Sequence, residues 1–562
     1  MTTPAVPVSL ARATSAAALV ALAGCSNPLA IKQSDYADPL PVERTRQIDA
    51  LTFRPADDAE PLGAIVQRLD ARETFDISLA EARAAALAGN VDIRVALVNP
   101  TIADQALREQ EAAFEADFGL SAFYANTDTA TASTLNDAQA EFLSITPDLS
   151  VPLYTGGSVG VGLPVTRRET SSSFATLNPS YTSDLEFSLA QPLLRGAGRR
   201  ASTYAIRVAS YNQQISEART KLAIINQLAA VETAYWRLYQ VRRELDVRRQ
   251  QLQLAQDQLE RAERRVRAGD AAEIEIIRAQ AGVAERLEAI IVAYNLVLTA
   301  QRELKRLMNI EDLGVTDDTT LLPTTDPDPV QFELDRLRLL DLAEAQRMEL
   351  LEAELQLARD ITDIEFRENQ ALPQLGLSAT YRINGLGDSL NDSFDTMIEN
   401  DFEDWELGLT GSMPLGNEAA LSRLRSAILT RLQRISSREG QRQLVQQEVL
   451  NSIERIRADW QRILAAQQSV ALNTRQLEAE QRQFDVGGST STDVLDAATQ
   501  LADAQSAEIR ALTDYQIAQI NLAVATGSML GASRIIWEPS RKPELDGYRY
   551  APKAPAEAVL DE

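Results

Sequence analysis

The sequence predicts an α+β chain that runs through one plan twice, with long coiled-coil helices closed at one end by glycine turns and at the other by β-strands. Three observations predict it. Apolar residues recur every seven positions over segments far longer than a globular helix. Short stretches alternate apolar and polar residues with period two. Several motifs occur twice, in the same order, more than two hundred residues apart.

The chain opens with "SAAALVALAGC" (15–25), a short apolar run preceded by Arg12 and ending in small residues. This is the pattern of a secretory signal over 1–24. Its "LAGC" ending resembles the lipobox of bacterial lipoproteins, which implies that Cys25 is the lipid attachment site and becomes the mature N-terminus. The alternative is a plain cleavable signal with an incidental cysteine. Ser26 follows, where Asp would retain a lipoprotein in the inner membrane, so the same resemblance points to the outer membrane. Residues 25–75 then form a lipid-anchored N-terminal tail.

Composition removes several classes. Among 562 residues Cys25 is the only cysteine and histidine is absent, which excludes intrachain disulfides, Cys/His metal sites and Ser–His or Cys–His catalysis. A net charge of −26 argues against a nucleic-acid partner. No apolar run reaches the roughly 18 residues of a membrane helix, a test that weakly alternating barrel strands escape. "GGSVGVG" (156–162) has the composition of a phosphate loop but sits among strand signals with no helix after it. The many carboxylates fit solvated helix faces. No enzyme activity, cofactor or metal is expected.

The repeats define two halves, 76–310 and 341–530, joined by the Pro/Asp/Thr-rich linker 311–340 and followed by a C-terminal tail, 531–562. "GLSAFY" (119–124) returns as "GLSATY" (376–381), and "QPLLRG" (191–196) is echoed by "MPLGNE" (413–418). "VRAGDAAEIEIIRAQAG" (266–282) matches "FDVGGSTSTDVLDAATQ" (484–500), with Gly269 against Gly487 and Glu275 against Asp493. The first half carries about 35 more residues between its strands. Both tails are expected to lie against the helices near their middle.

In the first half Leu238, Leu245, Leu252, Leu259 and Val266 keep heptad spacing, with Ile456, Ile463, Val470, Leu477 and Phe484 as counterparts. Ile276, Val283, Ile290, Val297 and Leu304 continue it after the turn, copied by Val494, Leu501, Tyr515 and Leu522, with Glu508 as the exception. Residues 200–265 and 419–484 as single helices would each reach about 100 Å. Glycine suits the turns because it accepts φ > 0 where the first helix ends. Thr492 would cap the returning helix, and Asp493 in its first turn would complement the macrodipole.

Strands are expected at the other end. Leu185, Phe187 and Leu189 alternate with Asp184, Glu186 and Ser188. Leu377, Ala379, Tyr381 and Ile383 do the same, as do Trp405, Leu407 and Leu409. Such alternation fits any half-buried sheet and also a transmembrane barrel. "SVGVGLPVTRR" (158–168) alternates too, and either extends a hairpin beyond the membrane or adds strands to the sheet.

Together these features resemble the TolC family of outer-membrane efflux proteins, in its lipoprotein branch, over about residues 75–530. The opening helix "ISLAEARAAALAGNVDIRVA", "QPLLRGAG" at a strand end and the two Gly-x5-acid turns carry the resemblance. It implies a homotrimer: a long α-helical coiled-coil barrel plus a trimeric transmembrane β-barrel, each chain giving four strands to a shared ring of twelve. It implies that Ala268, Gly269, Val486 and Gly487 are tips that contact a periplasmic adaptor. It places Asp493, Asp496, Glu275 and Arg278 at the pore entrance or gate, the acids attracting cations. Arg278 stands at the position matching Asp496, so it would partly neutralise that entrance or hold it shut through Arg–acid pairs. The alternative for Asp493 is a helix-end residue alone.

The implied function is a passive outer-membrane exit duct for small molecules, coupled to an inner-membrane pump through the adaptor. A duct for type I protein secretion is the alternative within the family. A lipid-anchored coiled-coil scaffold without a pore is the alternative outside it. The expected location is the outer membrane, held by lipid, with a long periplasmic extension.

Overall fold

A computed structural model describes residues 72–130, 138–172 and 174–537. Cys25 and most of both tails lie outside the described residues. In the first half β1 (Thr74–Ile77) leads into α1 (Leu79–Gly89) and α2 (Val91–Glu111). Five strand segments follow: β2 (Asp117–Asp128), β3 (Gln139–Pro152), β4 (Ser158–Gly162), β5 (Val165–Thr170) and β6 (Ser180–Pro192). Then come α3 (Tyr204–Ala268) and α4 (Ile274–Met308), with β7 (Thr320–Pro323) between the halves. The second half holds α5 (Arg336–Gln346), α6 (Met348–Gln370), β8 (Gln374–Gly387), α7 (Leu390–Glu399) and β9 (Phe402–Ser412). It ends with α8 (Glu418–Asp485) and α9 (Ser491–Ala525).

Helix lengths match pairwise between the halves. The openers α1 and α5 have 11 residues each, α2 and α6 have 21 and 23, α3 and α8 have 65 and 68, and α4 and α9 both have 35. Each returning helix therefore covers only half of its long partner, and the opener with its successor packs over part of the rest. The bend between opener and successor is fastened alike in both halves. Asn90 caps α2 through the Ile93 N–H and donates from Nδ2 to the Leu307 carbonyl at the end of α4 (2.8 Å). Arg347, buried, donates to the Ala525 carbonyl at the end of α9 (3.3 Å) while pairing with Glu349 and Glu448. Different side chains do the same job.

Most of the heptad positions expected to be core are buried, while Leu252, Leu259, Val266, Ile276, Val283, Val470, Leu501 and Leu522 are half-buried. Leu238, Leu245, Ile290, Val297, Leu304, Ile456, Ile463, Leu477, Phe484, Val494 and Tyr515 are buried. The segment 311–340 is more than a linker. Within it β7 pairs in parallel with β1, and Leu321 is fully buried against α3 and α4. Tyr235, 0% exposed, fastens this belt: its hydroxyl donates to the Ile77 carbonyl (3.2 Å) and accepts from the Thr325 N–H (2.9 Å).

The second sheet departs from the four strands per chain implied above. Its order is β2-β3-β4-β6-β8-β9, with β5 also between β3 and β6. The β4 and β5 segments keep one register against both neighbours, so they are one strand interrupted at Leu163–Pro164. Pro164 has no N–H to give to the ladder. Six strand positions result, all antiparallel. The segment 158–168 thus adds a strand to the sheet.

Register sorts the sheet's two faces. One row reads Phe118, Leu149, Val161, Phe187, Tyr381, Trp405 across all six positions. The row beside it, on the opposite face, reads Gly119, Asp148, Gly162, Glu186, Arg382, Asp404, with Arg382 bonded to Glu186 at 2.8 Å. On the apolar face Trp405 is 76% exposed. Helix α7 lies on that same face, where Gly385 and Gly387 leave room for Ser393 and Ser393 bonds Ser183 (2.7 Å). No described helix is long and apolar enough to cross a membrane.

Replacing Tyr235 by Phe takes the acceptor from the half-buried Thr325 N–H and one of two donors from the Ile77 carbonyl, which keeps the Thr324 N–H (2.9 Å). The expected cost is about 1–3 kcal/mol, read as a lower midpoint for loss of helical circular dichroism on heating. An unchanged midpoint would remove the hydroxyl from the account of the belt.

Candidate functional site at the helix tips

Each long helix ends where a left-handed residue is needed. Gly269 caps α3 with φ of 84°, and Gly487 follows α8 with φ of 81°. Open space surrounds the Cβ position of Gly269, so backbone conformation and not crowding selects glycine there. Ala268, Gly269 and Gly487 are exposed, and Val486 is 84% exposed. The four residues expected at the tips are therefore exposed at the turns of the two hairpins.

The acids beyond the turns are anchored differently. The cap of α9 is Thr490, not Thr492: the Asp493 N–H donates to Thr490 Oγ1 (3.3 Å). In return the Thr490 N–H and hydroxyl donate to Asp493 Oδ2 (2.8 and 2.7 Å), which completes a capping box. These bonds from Thr490, and more weakly the nearby Arg278 guanidinium, hold the Asp493 carboxyl below its ordinary value. Glu275 accepts from Arg278 one helical turn away (2.8 Å) and from the Ser491 N–H at the start of α9 (3.2 Å). Arg278 thus pairs within its own helix. Asp496 is exposed, one turn past Asp493 on the same helix face, and makes no ion pair among the described residues. The fold brings Glu275, Arg278 and Asp493 together, with Asp496 beside them; the first two cancel in charge, and two aspartates remain.

Sequence reasoning missed the residues that hold one hairpin to the other. Arg286 on α4, 8% exposed, donates to Thr499 Oγ1 (2.7 Å) and reaches the Leu495 carbonyl (3.5 Å) on α9. Gly282, one turn before it, lets the helices close: a Cβ there would meet Leu495 Cδ1 at 2.8 Å. On α3, Gln251 donates to the Ala498 carbonyl and Gln258 to Ser491 Oγ, both at 3.3 Å. Arg265 sits over the Phe484 ring (4.8 Å) and donates to its carbonyl (2.9 Å). Gln251, Gln258 and Arg265 are seven apart, each one position before Leu252, Leu259 and Val266. That polar heptad was the available signal, and the apolar one beside it hid it.

Because the folded pKa of Asp493 is depressed, its contribution is complete above the unfolded carboxyl value of about 3.9. It is lost as pH falls through the lower folded value, so neutral pH leaves the cap intact. Thr490→Ala should cost about 1 kcal/mol at this helix end and speed amide exchange over residues 487–493 at pH 7. Unaltered exchange there would refute the assigned cap.

With this geometry in place, similarity to known proteins gains meaning. The sequence model described as outer membrane efflux protein matches residues 158–309 and 339–528. The outer membrane protein TolC of Vibrio cholerae is 26% identical over 306 residues, 53% of this chain and 67% of that protein. TolC of Escherichia coli is 28% identical over 261 residues, 42% of this chain and about half (51%) of that protein. The CmeC outer membrane channel of Campylobacter jejuni superposes with a TM-score of 0.60 at 14% identity, covering 85% of this chain and 90% of that one, a likeness of fold. The matched residues take in the first half from residue 158 onward, nearly all of the second, and both tips, and the chain belongs to the outer membrane efflux protein family.

Proposed function

We propose that this chain is the outer-membrane exit duct of a tripartite export system, working as a homotrimer that passes small molecules without chemistry of its own. The observation that carries the reading is the second sheet. One of its faces is an apolar row from Phe118 to Trp405, the other is polar, and its outer strands β2 and β9 have no further partner among the described residues. Such a sheet suits lipid on one side and water on the other, provided that other copies close it. A pore-free scaffold has no use for it.

The helices that continue those outer strands need partners as well. Val91, Val95, Val98 and Ile102 form an exposed stripe on α2. Leu429, Leu432 and Ile435 form another on α8. Packing α8 of one copy against α2 of the next would bury both stripes at helical spacing. In this reading the duct is energised by an inner-membrane pump through a periplasmic adaptor that grips Ala268, Gly269, Val486 and Gly487. Cys25 adds a lipid anchor, and Asp493 and Asp496 of three chains form an acidic ring at the entrance, with each Glu275–Arg278 pair beside it.

In planar bilayers the purified lipidated protein should give discrete conductance steps that favour cations. Asp493→Ala with Asp496→Ala should keep the steps and reduce cation preference by about twofold or more. Unchanged selectivity would return the two acids to helix-end duty. No conductance from an intact oligomer would favour the scaffold.

A further inference from the structure

We infer that the hairpin β2–β3 is barrel wall, so that every copy gives six strands and a three-copy ring closes at eighteen; the count of three rests on the reading above. The copy-to-copy seam then lies between β9 of one chain and β2 of the next. An external hairpin would instead leave β4 to meet the neighbour.

Four observations carry this. First, β3 is bonded along its length on both sides, to β2 from Asp117 to Asp128 and to β4 and β5 on the other side, without a bulge. It is a central strand. Second, the sorting of faces continues through it. Phe118, Leu120 and Tyr124 on β2 and Leu143, Ile145 and Leu149 on β3 are exposed on the face that carries Phe187 and Trp405. Gly119, Ser121, Thr146, Asp148 and Ser150 lie on the other face. Phe123 and Phe142 on the polar face pair with each other at 6.1 Å, and beyond Leu143, at the end of the sheet away from the helices, the apolar face gives way to the ion pairs of Arg167 with Glu141 and Glu169. A loop in water has no reason to keep such a pattern.

Third, the turn from β3 to β4 is tied to the helical end of the sheet. Tyr154 stacks on Phe114 just before β2 (4.4 Å), the Gly198 N–H before α3 donates to the Thr155 carbonyl (2.9 Å), and Ser202 bonds the Tyr154 carbonyl. The end of β3 and the start of β4 therefore lie at the same level as the start of β2 and the end of β6. Fourth, six is even. β2 and β9 run in opposite directions, so joining them between copies keeps every pair in the ring antiparallel, as closure requires.

The consequence is width. With strands about 4.8 Å apart and tilted about 40°, eighteen close at about 36 Å across the backbone and twelve at about 24 Å. Rings of 16–18 strands leave an aqueous lumen. Glycine and serine at positions 119, 150, 160, 162 and 188 on the polar face keep side chains from filling it. The narrow point of the duct is then at the tips, not at the membrane.

Cryo-electron microscopy of the wild-type protein in nanodiscs counts the strands directly, and eighteen is the expected number. Cysteine pairs give a second reading. Glu406→Cys, Gly408→Cys or Thr410→Cys should cross-link between copies to Ser121→Cys, and Gly160→Cys should not cross-link to any of them. A twelve-strand ring with a projecting hairpin, or cross-links from β9 to Gly160→Cys, would overturn the inference while leaving the duct. Absence of any ring would overturn the duct, and this inference with it.

Discussion

Two strands, β2 and β9, each carry a row of backbone N–H and C=O groups that no other described strand of the chain satisfies. In water such edges are a hazard; in hydrocarbon they are not tolerated. Much else follows from this constraint. The chain enters the sheet from α2 into β2 and leaves it from β9 into α8, so the incomplete edges of the sheet continue into the two helices with exposed apolar stripes. Sheet and helices are unfinished on the same two sides. In the trimer proposed above a lone copy is an incomplete fold, and its stability is tied to assembly.

The rods answer a different constraint. A helix of 65 or 68 residues cannot be covered by one returning helix of 35, and each half fills the remainder with an opener and its successor. The joint falls where the returning helix ends and its last carbonyls lack helical partners. Asn90 and Arg347 both supply donors to those carbonyls. An amide and a guanidinium are unlike in charge, and Arg347 needs Glu349 and Glu448 to be comfortable when buried. What the halves share is thus the position of an orphan acceptor, not a residue type.

Periodicity made the rods legible. Leu238, Ile456 and Tyr515 sit where heptad spacing put them, and the positive φ of Gly269 and Gly487 is what ends the long helices. The strands were half legible. Alternation located β6, β8 and β9, but a short alternating run does not state its neighbours, and pairing is a long-range property. Residues 158–170 were the hardest, because Pro164 breaks the hydrogen-bond ladder while leaving the register intact. Thr490 and Thr492 are both sound caps by residue type, and only the position of Asp493 at the third residue of the helix decides between them. The stitches from Gln251, Gln258 and Arg286 were invisible for another reason: polar residues beside an apolar seam look solvated until a second hairpin is placed against them.

The tips also dissolve an opposition. Asp493 as a helix cap and Asp493 as a source of field in a pore look like rival roles for one carboxylate. The three bonds from Ser489 and Thr490 converge on Oδ2, and bonds donated to a carboxylate stabilise its charged form. The cap therefore fixes the acid in place and keeps it ionised, which are the two conditions that an electrostatic role requires. Asp496 has no such hold among the described residues. In the proposed ring Asp493 is the member held in place, by the same bonds that start α9, and Asp496 is the member without that hold.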